Sequence, residues 1–271
     1  DGITLAQQAG ARIDASVGLD TESAYPAGIT GYYDIRGESN LENQALYFVV
    51  KSPFLRVNSV GKRFMREDIG VFHQESHSIS RNNNVYWTIF DEALKQDFIN
   101  KGTVALKMPP PILPPQITPY LKALDAGLEK AYAKGYAYKA NTIEELAQKI
   151  GADPKVLKAT VDRMNALAKA GFDDDLLLSK DFLRTYSKPP FYALKGVHVI
   201  LSSHGGIQCD ENFQAIGDNL KPIPGLFVTG VLIGSYVGDT YPINIAPGNS
   251  SGFGIAASRL IINHIAKEVK K

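Results

Sequence analysis

"IAPGNSSGFGIAASRL", residues 245–260, decides how this chain is read. A Pro-Gly-Asn-Ser-Ser-Gly run breaks directly into an apolar helical pattern, and the first turn carries no Asp or Glu. The start of a helix exposes free backbone N–H groups and a partial positive charge, which a capping side chain or an acid ordinarily answers. Ser250 or Ser251 is expected to cap. The missing acid and the clustered small residues predict that something negative or electron-rich from outside the helix approaches this end.

Working outward, "IPGLFVTG" (223–230) reads as a Pro-Gly turn into a buried strand that closes on Gly230. Before it, "SSHGGIQCDENFQAI" (202–216) reads as an apolar strand, then His204-Gly205-Gly206, then a strand bearing Asp210. Adjacent glycines let a backbone come close to a ligand where a Cβ would collide. Strands alternating with turns and a final helix from Val197 onward predict the edge of a nucleotide-binding α/β domain.

The middle of the chain has a different composition. "ALYFVV" and "FLRVNS", separated by Lys51-Ser52-Pro53, read as strands, as does "NNVYWTIFD", and residues 91–102 read as a helix. "MPPPILPPQITP" (108–119) is predicted to be extended, because six prolines fall in twelve residues. A long helix follows from about Tyr120 to Ala133. Thr142 with Glu145 forms a capping box, and Asp153 followed by Pro154 opens the next helix. Val156, Leu157, Val161, Met164, Leu167 and Ala168 fall on one apolar stripe.

Bulk properties narrow the function. A net charge of +1 without a Lys/Arg run argues against a nucleic-acid partner, and no apolar run reaches membrane-spanning length. One cysteine, Cys209, excludes an internal disulfide or a multi-thiolate metal site, and it reads as a small buried hydrophobe. His73 and His77 ("HQESH") have helical ligand spacing without a third ligand, so no metal is expected.

Taken together, Gly205-Gly206, Pro224 to Gly230 and Gly248-Asn249-Ser250-Ser251 resemble the C-terminal half of the fumarate reductase/succinate dehydrogenase flavoprotein family. "DGITLAQQAGA" (1–11), "RVNSVGKRFMRED" (56–68) and the helix pair from Thr142 to Asn165 resemble upstream segments of that family, so the similarity runs over nearly the whole chain. The resemblance implies an α+β chain. Residues 1–20 would end a first FAD-domain segment, and residues 21–196 would form a substrate-capping domain of mixed sheet and helices that closes by hinge motion. Residues 197–271 would supply the C-terminal strands and helix of the α/β FAD-binding domain. It implies FAD as cofactor, with His204, Gly205, Gly206, Gly230, Asn249, Ser250 and Ser251 as flavin contacts. A reduced flavin is negative around N1 and C2=O, which answers the question of the acid-free helix start.

Departures from the family pattern shape the expected chemistry. The proton-donating Arg expected eight residues after Arg63 falls on Val71, the substrate-binding His on Ser202, and the Arg before the helix start on Ile245, or on Tyr241 if "PINI" is an insertion. A dicarboxylate would then lack charge partners, so fumarate and succinate are not the expected substrates. The expected substrate is a small molecule with a conjugated carbonyl, served by Tyr241, Tyr236 and Arg63, of which Arg63 is weighed together with Arg66 and Glu67 as lining the cleft. No G-x-G-x-x-G occurs, and "DGITLAQQAGA" reads as a helix already under way, so a missing N-terminal half or a co-purifying chain is expected as partner. Alternatively, the chain is a non-catalytic binding module derived from such a flavoprotein.

Overall fold

The computed structural model describes residues 1–14, 18–28, 41–68, 83–105, 121–234, 236 and 248–269. Its contacts divide into two compact units, Asp1–Thr21 with Ile200–Lys271, and Glu22–Val199. The chain opens with helix α1, Gly2–Gln8, and strand β1, Gly18–Pro26.

Helix α2, Leu41–Lys51, replaces the strand expected over "ALYFVV". A short unbroken apolar run has no periodicity to separate the two conformations. Here every residue from Gln44 to Lys51 is buried, as a helix wrapped by its own core requires. Strands β2, Leu55–Val57, and β3, Val85–Asp91, follow as expected. Helix α3, Glu92–Ala105, is kinked at Gly102, whose φ of 73° only glycine adopts at low cost. Helix α4 spans Leu124–Ala133. It crosses close to α2, since a Cβ on Gly127 would meet the Glu42 carbonyl oxygen at 2.9 Å.

Strand β4, Ala137–Ala140, was not foreseen, being four residues with two alanines between helical patterns. Helix α5, Ile143–Ile150, starts where the Thr142 Oγ1 accepts the Glu145 N–H at 3.1 Å. The Glu145 carboxylate reaches back to the Asn141 N–H, one residue upstream of the usual reciprocal contact. Helix α6, Pro154–Ala170, is capped by Asp153, whose Oδ1 accepts from Lys155 and Val156. Leu157, Val161, Met164 and Leu167 are its buried stripe, and Val156 and Ala168 flank it half-buried.

Strand β5, Phe191–His204, is the centre of the main sheet, ordered β1-β5-β3-β2 with β4 also on β5. The ladders β2–β3, β3–β5 and β4–β5 are antiparallel. Phe54, Phe90 and Tyr192 stack through the core of Glu22–Val199, with Phe54–Phe90 centroids 5.8 Å apart and Phe90–Tyr192 5.1 Å.

In the other unit, the single strand expected over "IQCDENFQAI" is broken by a turn. Asp210 Oδ1 accepts from the Asn212 and Gln214 N–H groups, Phe213 takes φ 64°, and only Gln214–Ile216 forms strand β6. Strand β7 is Pro222–Phe227, antiparallel to β6. Helix α7, Asn249–Glu268, completes the unit, whose core is Ala6, Ala11, Ile207, Ala215, Val228, Ile233 and Ala257. Among the described residues no helix is long and apolar enough to cross a membrane.

Candidate functional site

The start of α7 is the centre of the candidate site. Its N-cap is Gly248, at φ 77°, with no side-chain cap and no acid in the first turn. This corrects the expectation that Ser250 or Ser251 caps. Glycine takes the left-handed position without strain, which moves both serines inside the first turn, Ser250 half-buried and Ser251 exposed. The backbone of Asn249 belongs to the same turn. The N-cap residue therefore brings no side-chain oxygen to the leading N–H groups, and the first turn holds no carboxylate to oppose an approaching negative group.

Beside this turn the chain following β7 makes a short 3₁₀ turn, Gly230–Leu232. Gly230 has φ 69°, and a Cβ there would meet nothing within 4 Å among the described residues. The turn is pinned to the second turn of α7, because the Thr229 and Ser258 hydroxyls lie 2.9 Å apart and both reach the Gly254 carbonyl, at 3.1 and 2.8 Å. A Cβ on Gly254 would stand 3.4 Å from the Gly230 Cα. An open pocket of ≈ 580 Å³ results, lined by Thr229, Gly230, Ser250, Ser251, Gly254 and Ser258 with Val231 and Ile255. Thr229, Gly254 and Ser258 were missed from sequence. Their signal was available, since 250, 254 and 258 share one helical face.

Gly205 and Gly206 have a different setting. The Ile207 N–H donates to the Leu232 carbonyl (2.8 Å), the Gly234 N–H to that of Ile207 (2.9 Å), and the Asp14 N–H to that of Gly206 (2.7 Å). A Cβ on Gly206, at φ 146°, would lie 2.3 Å from the Leu232 oxygen. The close approach that demands glycine here is to the chain's own backbone. His204 ends β5, and Tyr241 lies outside the described residues, as do His73, His77 and the proline-rich segment. Tyr236 is half-buried and stacks on Phe253 at 4.5 Å and 5°, with Phe213 edge-on to Phe253 at 6.0 Å. Cys209 donates to the Ile207 carbonyl, and burial together with the nearby Asp210 charge pushes its thiol up to about 11, so it is no nucleophile.

In Glu22–Val199, Arg63 is buried between two carboxylates. Its Nε and Nη2 hold Glu67, and Nη2 also holds Asp173 Oδ2 at 2.8 Å. Burial raises the Glu67 carboxyl against the pull of Arg63. Burial also opposes ionisation of Asp173, but the Arg63 bond and the Leu178 and Leu176 N–H groups outweigh it and bring that carboxyl to about 2. Arg66 pairs with Asp68 through two bonds of 2.9 and 2.7 Å. Among the described residues no group of three or more His, Cys, Asp or Glu is arranged to hold a metal.

Comparison with known proteins follows the geometry. A family model described as "FAD binding domain" matches residues 1–249. The chain is 29% identical over 239 residues to the 3-oxosteroid 1-dehydrogenase of Mycobacterium tuberculosis, covering 79% of this chain and 39% of that protein. It is 26% identical to the vinyl phenol reductase of Lactiplantibacillus plantarum, over 98% of this chain and 53% of that protein. The chain thus spans about half or less of these relatives. Among solved structures, 3-ketosteroid Δ1-dehydrogenase from Sterolibacterium denitrificans superposes with a TM-score of 0.70 at 23% identity, over 99% of this chain and 46% of that one. This last likeness concerns the fold.

Proposed function

The chain belongs to the FAD binding domain family, and from that premise we propose that it is part of an FAD-dependent oxidoreductase acting on a carbon–carbon bond next to a carbonyl. The observation that carries this reading is the uncapped, acid-free start of α7 beside the open space at Gly230. The residues present fit the cofactor: a helix start without a side-chain cap or an acid suits the electron-rich pyrimidine end of a flavin, and a glycine at Gly230 keeps a Cβ out of the space beside it. FAD, when bound, supplies hydride exchange with the substrate carbon.

The chain's own residues would hold and polarise. The backbone N–H groups of Asn249, Ser250 and Ser251 would stabilise negative charge, and Thr229 and Ser258 would fix the wall. Gly205 and Gly206 would keep the segment leading into this wall tightly crossed, with His204 at its edge. Tyr236 and Tyr241 are the proposed donors to the substrate carbonyl, since a phenol can give a hydrogen bond or a proton without adding charge. Arg63, held by Glu67 and Asp173, would act as a positioning residue. Residues 21–196 are proposed as the substrate-capping domain, and 1–20 with 197–271 as FAD-domain segments. Relatives named for steroids, vinyl phenol and acrylate support a small-molecule substrate, and the cations replaced at Val71, Ser202 and Ile245 argue against fumarate or succinate.

No G-x-G-x-x-G occurs in the sequence, so a further segment, in the same polypeptide or a second chain, is proposed to grip the pyrophosphate and adenosine. The test is to purify the chain alone and together with such a segment, add FAD, and follow the flavin band through gel filtration. Stoichiometric flavin and reoxidation of a reduced dye by an enone, but not by fumarate, are expected in the second case. Colourless protein in both preparations would end this reading.

A further inference from the structure

A second pocket lies within Glu22–Val199, and of its lining only Arg63 enters the proposed function. After β2 the chain turns at Asn58, whose Oδ1 accepts from the Val60 and Lys62 N–H groups at 3.2 and 3.0 Å. This turn is pressed onto the first turns of α6. The Thr160 Oγ1 donates to the Gly61 carbonyl at 2.8 Å, and a Cβ on Gly61 would stand 3.1 Å from Leu157. The docking fixes Lys62, from the turn, and Lys155, from the first turn of α6, on the wall of one cavity of ≈ 480 Å³. Val156, Ala159, Thr160 and Met164 form its floor, and Arg63, Arg163 and Asp175 complete it.

The charges on this wall are unequally answered. Arg163 is held by Asp174 and Asp175, and Arg63 by Glu67 and Asp173. Lys62 and Lys155 are exposed and have no ion-pair partner among the described residues. In Arg63, a side chain only 8% exposed, Nη1 is sealed from solvent and has no hydrogen-bond acceptor among the described residues, so the unanswered charge open to the cavity is that of the two lysines. The cavity combines the apolar strip of Val156, Ala159 and Met164 with two unpaired lysines, which a ligand with an apolar body and an anionic end would answer.

We propose that this cavity binds an amphiphilic organic carboxylate. The acid head would pair with Lys62 and Lys155, and the apolar body would lie on Val156, Ala159 and Met164. Its lining residues all belong to Glu22–Val199, and none is shared with the α7 pocket.

The test is titration of the purified chain with trans-cinnamate, followed by calorimetry and by amide shifts at Lys62, Lys155 and Thr160. Cinnamyl alcohol keeps the body without the charge, acetate keeps the charge without the body, and inorganic phosphate offers charge alone. Saturable cinnamate binding is expected, with each of the other three at least tenfold weaker. The double variant K62E/K155E is expected to weaken cinnamate tenfold or more, and Ala159→Trp, which fills the floor but keeps both lysines, to do the same. These positions are exposed, so thermal unfolding of both variants should match the parent. Phosphate or acetate binding as tightly as cinnamate, cinnamate affinity unchanged in both variants, or shifts confined to residues 229–258 would each overturn the proposal.

Discussion

Arg63 Nη2 lies 2.8 Å from Asp173 Oδ2, joining the segment after β2 to the loop after α6 across 110 positions of sequence. Because Arg63 also holds Glu67, its removal would leave two buried carboxylates facing each other. Breaking one partner of a buried ion pair costs about 3–5 kcal/mol. Arg63→Ala is therefore expected to lower the urea midpoint sharply. Arg63→Lys keeps the charge but not the forked donors, and should lose less.

The same cluster sets the acid limb of stability. Asp173 titrates at about 2 in the folded chain, below its unfolded value of about 3.9. Its contribution is present above the unfolded value and disappears as pH falls through the folded one, so the loss is expected between about pH 4 and 2. Glu67 is shifted the opposite way, upward by burial, so its protonation on acidification relieves a cost. Urea midpoints followed from pH 6 to 2 should fall mainly below pH 4. Asp173→Asn should be less stable at pH 6 and show a flatter acid limb.

The caps of α5 and α6 were legible, because they are local chemistry. Asp153 accepts from the Lys155 N–H at 2.8 Å and Pro154 occupies the first position, as the sequence indicated. Asp153→Ala is expected to cost about 0.5–2 kcal/mol, read as a shift in the urea midpoint without a change in slope.

What escaped the sequence is non-local. The run Ala45–Val50 carries no period, and only the packing of α2 against α4 makes it helical. The pairing of β4 with β5 spans over fifty residues, and nothing in "AYKA" announces it. At the candidate site, the acid-free start of α7 was readable as missing chemistry. The identity of its cap was not, since Gly248 and Ser250 both belong to small-residue clusters and only the backbone conformation separates them. Arg63 illustrates the same limit. Its partner Glu67 is one helical turn away in spacing, but Asp173 is brought to it only by the fold.

Two glycines separate backbone need from ligand space. Gly206→Ala would drive a Cβ to 2.3 Å from the Leu232 oxygen and is expected to unfold the unit built from Asp1–Thr21 and Ile200–Lys271. Gly230→Ala meets nothing within 4 Å among the described residues and carries the left-handed strain of about 1–2 kcal/mol. Calorimetry should show a lost transition for the first and a small shift for the second. Flavin retention in the reconstituted protein should nonetheless fall in Gly230→Ala.

An acid placed at the start of α7 should act in opposite directions on folding and on cofactor. Ser251 is exposed in the first turn, where no carboxylate now stands. Ser251→Asp would meet the positive end of the helix and is expected to stabilise the chain by about 0.3–1 kcal/mol. The same charge would repel a reduced flavin at that end, so the reconstituted protein should bind FAD more weakly and show a lower flavin reduction potential. Ser251→Asn, similar in size and neutral, should leave the potential where it was. A higher melting temperature with an unchanged potential would place the flavin away from this helix end.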